Sequence, residues 1–578
     1  MASAAGPAVR YTISLAHPEQ HLVHVKMELP PGTAERDLQL PVWNALYQVR
    51  DFAQYVNWVK AGDLSGHALT VRDIDKSRWQ ISGAAGGALV EYEIFADQPG
   101  PYNAQLNAVH GFFNFAEILM YAVDQRSAPV TVSFAGLPTG WKVACALQHG
   151  NEPELAAESY DRLVDSPVEL GSFEESDLEQ GGARYRVVVD ADKASYDMRR
   201  VVSTVRRVAA AATKWMNDRP FESYLFIYHF PQGPSGGGME HAYSTAIDVN
   251  AQLLADNPLA LPDVTAHEFF HLWNVKRIRP QSLEPVDYTK EQYTPSLWFS
   301  EGFTDTVQNY IEMRAGYVDE PGYFQRIANE IAALERRPAH LTQSAESSSR
   351  DAWLEKYSYY RLPERSISYY NKGDLIGIIL DLAMRDASQG RASLHDLFLW
   401  MNRNYAQQGR FFADSAGIRE AAETLTHADL KPFFEKYVAG TVEIPWDDFF
   451  KTAGLRLVRR PGSVADLGFS ATRNFGAPPS VAAVSAGSAA QQAGLSTGDS
   501  ILKINGRDAS SDFQQQLANL APGDAIRLRV KNRHGERDLQ WTLGTREEVE
   551  FELRDVDNMT PQQKARRAAW LSGDDEGE

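Results

Sequence analysis

Apolar residues in this chain repeat with a period of two over the first third and near 3.6 through the middle, and that change limits the architectures open to it. From Val9 to about Val168, runs such as "YTISLAH", "LVHVKMEL", "ALVEYEIFA" and "PVTVSFAGL" alternate apolar and polar residues between Pro, Gly, Asn and Asp turns. Alternation buries one face of each strand, so residues 1–168 are predicted to form an antiparallel β-sandwich. Two further strand candidates, "ARYRVVVDA" and "SYLFIYHF", flank a helical stretch from Tyr196 to Asn217. From Pro262 onward helical spacing takes over, in "LPDVTAHEFFHLWNV", "SLWFSEGFTDTVQNYIEMRAG" and "KGDLIGIILDLAMRDA". A strand-rich half thus leads into a helical bundle over residues 169–456, and the fold class is multidomain α+β.

Composition removes several function classes. At 578 residues the chain is too long for one core. With 57 basic against 76 acidic residues it carries −19 and no basic footprint, so nucleic acid is not an expected partner. Cys145 stands alone, which excludes an intrachain disulfide and a thiolate-built zinc site; any metal must sit on His, Asp or Glu. "DLIGIILDLAM", Asp374 to Met384, is too short to span a bilayer, and no transmembrane segment is expected. In the opening "MASAAGP", Ala2-Ser3-Ala4 has the small-residue pattern that follows a secretory leader. The expectation is a periplasmic or otherwise exported protein whose leader has been removed, with a cytoplasmic protein as the alternative.

The stretch "VTAHEFFHLWNVKRIRP" carries the chemistry. On a helix His267 and His271 project from one face and can grip one ion, while Glu268 lies on the neighbouring face, able to touch an attacking water without ligating. A catalytic zinc takes three protein ligands, and the best third candidate is Glu301 in "WFSEGFTD", set among aromatics where a lone carboxylate is costly. Asp305, four residues on, lies on the same helix face, either orienting a ligand histidine or simply solvated. Imidazole and carboxylate ligands accept other divalent ions as well as zinc.

His-Glu-x-x-His with a downstream Glu on a second helix resembles the gluzincin metallopeptidases. Upstream, Gly237-Gly238-Met239-Glu240-His241 is similar to the Gly-x-Met-Glu-Asn motif of their aminopeptidase branch, with His241 in place of Asn. That resemblance implies that Glu240 holds a substrate's free α-ammonium and that the neighbouring residues contact the peptide. Downstream, Tyr370-Asn371-Lys372-Gly373 is similar to the setting of the tyrosine that donates to the oxyanion; Tyr369 is its adjacent competitor. In this order the motifs resemble the glycyl aminopeptidase family of gluzincins. The resemblance implies a thermolysin-like catalytic domain at 169–456, one Zn²⁺ per chain on His267, His271 and Glu301, Glu268 as proton carrier, and removal of N-terminal Gly or Ala from peptides with a free N-terminus. A zinc endopeptidase and a catalytically inactive PDZ-bearing binding protein are the alternatives.

After Arg459–Ser463 the composition shifts to Gly, Ala and Ser with short β runs. Leu467-Gly468-Phe469 and "AGLSTGDSILKING" resemble a PDZ domain, assigned to residues 457–546, with a helix near Ser511 to Leu520. The resemblance implies that Leu467, Gly468 and Phe469 could receive a C-terminal peptide. Residues 547–578 are expected to hold a last helix and the acidic tail "GDDEGE".

Overall fold

The structure is a computed structural model that describes residues 9–44, 47–147, 154–233, 236–357, 359–472, 478–509 and 513–573. The opening "MASAAGP", Ser511 and the tail beyond Gly573 lie outside the described residues. The chain divides into two units, Met1–Arg456 with Asp555–Glu578, and Leu457–Arg554.

In the first unit the alternating runs form a ten-stranded sheet and a four-stranded sheet that share one core, with Tyr11, Val25, Tyr92, Phe113 and Leu170 all buried in it. The sheets are antiparallel with one exception. Val9–Ser14 pairs parallel with Val130–Ala135 because the chain returns to that edge only after a long excursion, not through a hairpin. Residue 168, the expected division, is the first of the strand Val168–Gly171, whose partner His110–Phe113 belongs to the same four-stranded sheet.

A five-stranded sheet follows, ordered Glu174–Gln180, Ala183–Asp190, Ser223–His229, Ser244–Val249, Gly236–Glu240. The middle three strands are parallel, and the central one, Ser223–His229, is an apolar run buried from Tyr224 to Tyr228, as a strand covered on both faces must be. The last strand, Gly236–Glu240, is antiparallel to its neighbour and forms an edge.

Helices then supply the rest of the site: Ala260–Phe270, Gly302–Arg314 and Tyr369–Ala387. The last two cross at Gly302 and Gly373. A Cβ on Gly373 would lie 2.9 Å from the Gly302 Cα and collide with the Trp298 carbonyl, so only glycine permits this approach. The helix Pro561–Ser572 also belongs to the first unit. Its Trp570 is fully buried, donates to the Tyr310 hydroxyl at 3.0 Å and stacks on Phe324.

The second unit is a small β-rich fold, with Phe469–Thr472 at one edge of its sheet and the short helix Phe513–Ala518 packed on a core that includes Ile501, Leu528 and Val530. Its expected end at 546 falls inside the strand Gly544–Asp555. Among the described residues no helix is long and apolar enough to cross a membrane.

Candidate active site

Three side chains converge at the end of the histidine helix. His267 Nε2 and His271 Nε2 lie 3.0 Å apart, and Glu301 Oε2 is 3.4 Å and 3.2 Å from them. The outer nitrogens settle the tautomers. His271 Nδ1–H donates to the Asn274 carbonyl at 2.6 Å, and His267 Nδ1 faces the Asp305 carboxylate at 2.7 Å. In the neutral rings both Nε2 lone pairs therefore point inward, at each other and at a carboxylate oxygen. Three acceptors aimed at one point repel unless a cation lies between them. A tetrahedral ion with bonds of about 2.0–2.2 Å holds its ligands about 3.3 Å apart, so the triangle fits zinc. Without a metal the same site balances its charge with protons: Asp305 and Glu301 raise the pKa values of His267 and His271, and the resulting imidazoliums hold Glu301 ionised against the cost of burial. Asp305 is thus paired with a ligand candidate, His267, and is not a merely solvated helix-face acid.

Glu268 lies beside this triangle, buried, with Oε2 lacking any hydrogen-bond partner. Burial pushes its carboxyl up to about 7, with Glu240 and Glu301 adding to the rise and the two histidines opposing it. A buried carboxylate with an unpartnered oxygen beside the triangle can take and return a proton. The edge strand makes room for it. A Cβ on Gly238 would fall 2.5 Å from Glu268 Oε1 and closer still to its Cγ and Cδ.

Glu240 ends that strand, and its carboxylate lies within 4.8 Å of ligand atoms of both Glu268 and His271. Glu240, Glu268, the three ligand candidates and Tyr370 share the wall of one cavity of about 420 Å³. The Tyr370 ring stacks on His267, with centroids 6.1 Å apart, and Tyr369 packs behind it at 4.9 Å. Desolvation and the Glu301 charge push the Tyr370 phenol well above its ordinary value, which keeps it a donor. Gly237 and Gly238 border the same cavity, but Met239 and His241 do not. Strand alternation turns Met239 away, and with His241 it lines a neighbouring recess of about 320 Å³ that Glu240 shares.

His241, the departure from the family motif, is held from behind. Its Nδ1 is 3.3 Å from Asp165 Oδ1, the Ala242 amide donates to Asp165 Oδ2 at 3.0 Å, and Lys276 Nζ approaches Asp165 at 2.6 Å. Arg277 donates to the Ala242 carbonyl, and Trp273 Nε1 to Asp218 at 3.0 Å. Asn274 donates to the Phe299 carbonyl at 2.9 Å and so ties the histidine helix to the turn that presents Glu301. The tail of the histidine stretch, "WNVKR", is therefore a clamp on both the Glu240 loop and Glu301. Asn274, Lys276 and Arg277 lie in the quoted histidine stretch, but nothing in their spacing assigns their partners, and Asp165 lies outside every motif.

A second cluster, His110, Glu169 and His229, has a different character. His229 meets Glu169 at 2.9 Å and Asp248 at 3.0 Å through its two nitrogens. Burial opposes its charge, and these two partners raise its pKa well above the usual value. This is an ion-paired imidazolium joining the four-stranded and five-stranded sheets.

In the second unit, Gly468 adopts φ +70°, its amide donates to Asp466 Oδ1 at 3.0 Å, and its carbonyl accepts from the Ser485 amide at 2.9 Å. Leu467 and Phe469 pack on that unit's core.

Comparison with known families matches residues 10–172 to the M61 peptidase N-terminal domain, residues 261–376 to the M61 glycyl aminopeptidase, and residues 465–543 to the PDZ domain. Comparison with curated proteins gives no match. Among solved structures, an aminopeptidase N family protein from Idiomarina loihiensis is 24% identical, with a TM-score of 0.84 over 97% of this chain and 100% of that one. An M1 zinc metallopeptidase from Deinococcus radiodurans is 15% identical, with a TM-score of 0.47 over 76% of this chain and 95% of that one.

Proposed function

This chain belongs to the M61 glycyl aminopeptidase family of zinc metallopeptidases and carries a PDZ domain, and on that premise we propose that it removes single N-terminal residues, with Gly and Ala preferred, using one catalytic zinc per chain on His267, His271 and Glu301. The observation that carries the exopeptidase reading is the position of Glu240, within 4.8 Å of ligand atoms of His271 and Glu268. An α-ammonium nitrogen lies only about 2.5 Å from the first carbonyl carbon of a peptide. An ammonium held by Glu240 therefore leaves room for one residue before the ligand triangle. An endopeptidase would need that end of the cleft open.

Zinc, when bound, polarises the scissile carbonyl and makes water a stronger acid. Glu240 anchors the ammonium and sets the register. Glu268 takes the proton of the attacking water and delivers it to the leaving nitrogen. Tyr370 donates to the oxygen on which negative charge develops. Tyr47 supports the preference for small residues: it is buried in the wall of the same cavity, and the charges of both Glu301 and Glu240 act on its hydroxyl. Bulky first side chains would meet that ring. In the PDZ unit, the edge strand Phe469–Thr472 is the reading's site for an added C-terminal peptide strand.

Hydrolysis of a panel of aminoacyl chromogenic anilides, with and without a chelator, tests the reading. Chelator-sensitive release, fastest for Gly and Ala, is expected. Absence of hydrolysis across the panel, or release that survives metal removal, would refute it.

A further inference from the structure

Acids dominate the charge of the active-site cavity, with Glu240, Glu268, Glu301 and Glu355 in its wall, yet Arg50 lines it too and is the only Arg or Lys among the described residues that do. Its guanidinium has little to do in the fold. One nitrogen donates to Asn103 Oδ1 at 3.3 Å, Nε is buried without a partner, and the group lies over the Tyr102 ring at 5.2 Å. The acid nearest in effect is Glu117, fully buried, with both oxygens unpartnered. Burial pushes Glu117 up to about 8 against the opposing Arg50 charge, and with both its oxygens unpartnered no hydrogen bond joins it to Arg50. A buried donor on a charged group that faces a cleft is costly unless a ligand satisfies it.

The edge strand places Arg50 along a bound peptide. Glu240 is the last residue of Gly236–Glu240, so a peptide whose amine meets Glu240 and which pairs with the open edge runs antiparallel, back toward Gly236. Its first residue lies beside Glu240, and the scissile bond lies beside Gly238, where Glu268 sits. The next residue, about 3.4 Å further along, comes to Gly237. There a Cβ would collide with the Tyr102 hydroxyl, so Tyr102 stands at that point, and Arg50 stacks on Tyr102. Arg50 thus falls one to two residues past the scissile bond.

We propose that Arg50 receives the C-terminal carboxylate of a di- or tripeptide substrate, making short peptides with both termini free the preferred substrate class. This rests on the aminopeptidase reading. The amine meets Glu240 and the carboxylate meets Arg50, so the cavity is charge-complementary to a zwitterion. A carboxylate could also come from an acidic side chain just past the scissile bond, and the substrates chosen separate the two sources.

The test compares kcat/KM of the zinc-loaded full chain for Gly-Ala-Ala, its C-terminal amide, and Gly-Glu-Ala amide. The free acid should exceed its amide by roughly 10- to 100-fold, the worth of a charge-assisted hydrogen bond. Arg50→Gln should collapse that ratio toward one, and Arg50→Lys should keep part of it. A wild-type ratio near one, or a full ratio surviving in Arg50→Gln, overturns the proposal. So does recovery of the free-acid rate by Gly-Glu-Ala amide, which would reassign Arg50 to an acidic side chain. If Arg50→Gln does not fold, the wild-type ratio and Arg50→Lys still decide. Failure to cleave any free-amine substrate would instead sink the aminopeptidase reading, and is distinguishable because a ratio near one still requires turnover.

Discussion

Gly238→Ala is a one-methyl perturbation of the general base, delivered from a different element. The added Cβ would lie 2.5 Å from Glu268 Oε1 and nearer to Cγ and Cδ, whereas non-bonded carbon atoms rest about 3.5–4.0 Å apart. Relief requires roughly 1 Å of movement. The edge strand is tied to Ser244–Val249 along its whole length, so the Glu268 side chain has to give way. A displacement of about 1 Å at a reacting group costs about 100-fold in rate. None of the three atoms nearest the new Cβ belongs to the ligand candidates His267, His271 or Glu301; all belong to Glu268. The variant should therefore keep its zinc, by elemental analysis, and lose about two orders of magnitude in kcat on glycyl anilide. Gly236→Ala, in the same strand, meets nothing within 4 Å and should turn over near the parent rate. Parental kcat in Gly238→Ala would refute the placement of Glu268 as the base, and loss of zinc would show that the strand supports the ligands instead.

Glu268→Gln should retain zinc and lose about 10²- to 10⁴-fold in kcat, the range of general-base catalysis; a near-native rate removes Glu268 from the mechanism. Asp305→Ala should weaken zinc binding about 10- to 100-fold in a chelator competition, because His267 loses the 2.7 Å partner that holds its tautomer. Trp570→Ala should cost about 3–5 kcal/mol, read as a lower urea midpoint, because the side chain is fully buried against Tyr310, Tyr323 and Phe324. An unchanged midpoint would show that the last helix is not part of the first unit's core.

What the sequence discloses about this site is what lies on single elements. His267 and Glu268 lie on one helix with His271 as its C-cap, and Asp305 lies one turn after Glu301, so helical spacing alone groups them. The period-two alternation likewise marks the strand-rich region. What it conceals depends on approach between distant segments. Gly237 and Gly238 look like residues that only admit a substrate, yet the structure shows that Gly238 chiefly makes space for Glu268. Met239 and His241 adjoin Glu240 in sequence but line a different recess. Arg50, Tyr102 and Asp165 come from the N-terminal β region, more than 70 residues before the motifs they support, as the 77-residue separation of Asp165 and Ala242 illustrates. No local pattern announces such contacts. The return of Pro561–Ser572 to the first unit is equally hidden, since an Ala/Arg-rich terminal helix reads as an appendage until Trp570 is seen in its socket.

The most direct measurement of the central claim is the turnover of a glycyl peptide with a free amine against its N-acetylated form, by the zinc-loaded enzyme and by Glu240→Ala. The geometry predicts that the parent cleaves the free-amine peptide far faster than the acetylated one, and that Glu240→Ala loses most of that advantage. Equal cleavage of both forms by the parent, or an undiminished advantage in the variant, would contradict the assignment of Glu240 as the ammonium anchor and with it the exopeptidase mechanism.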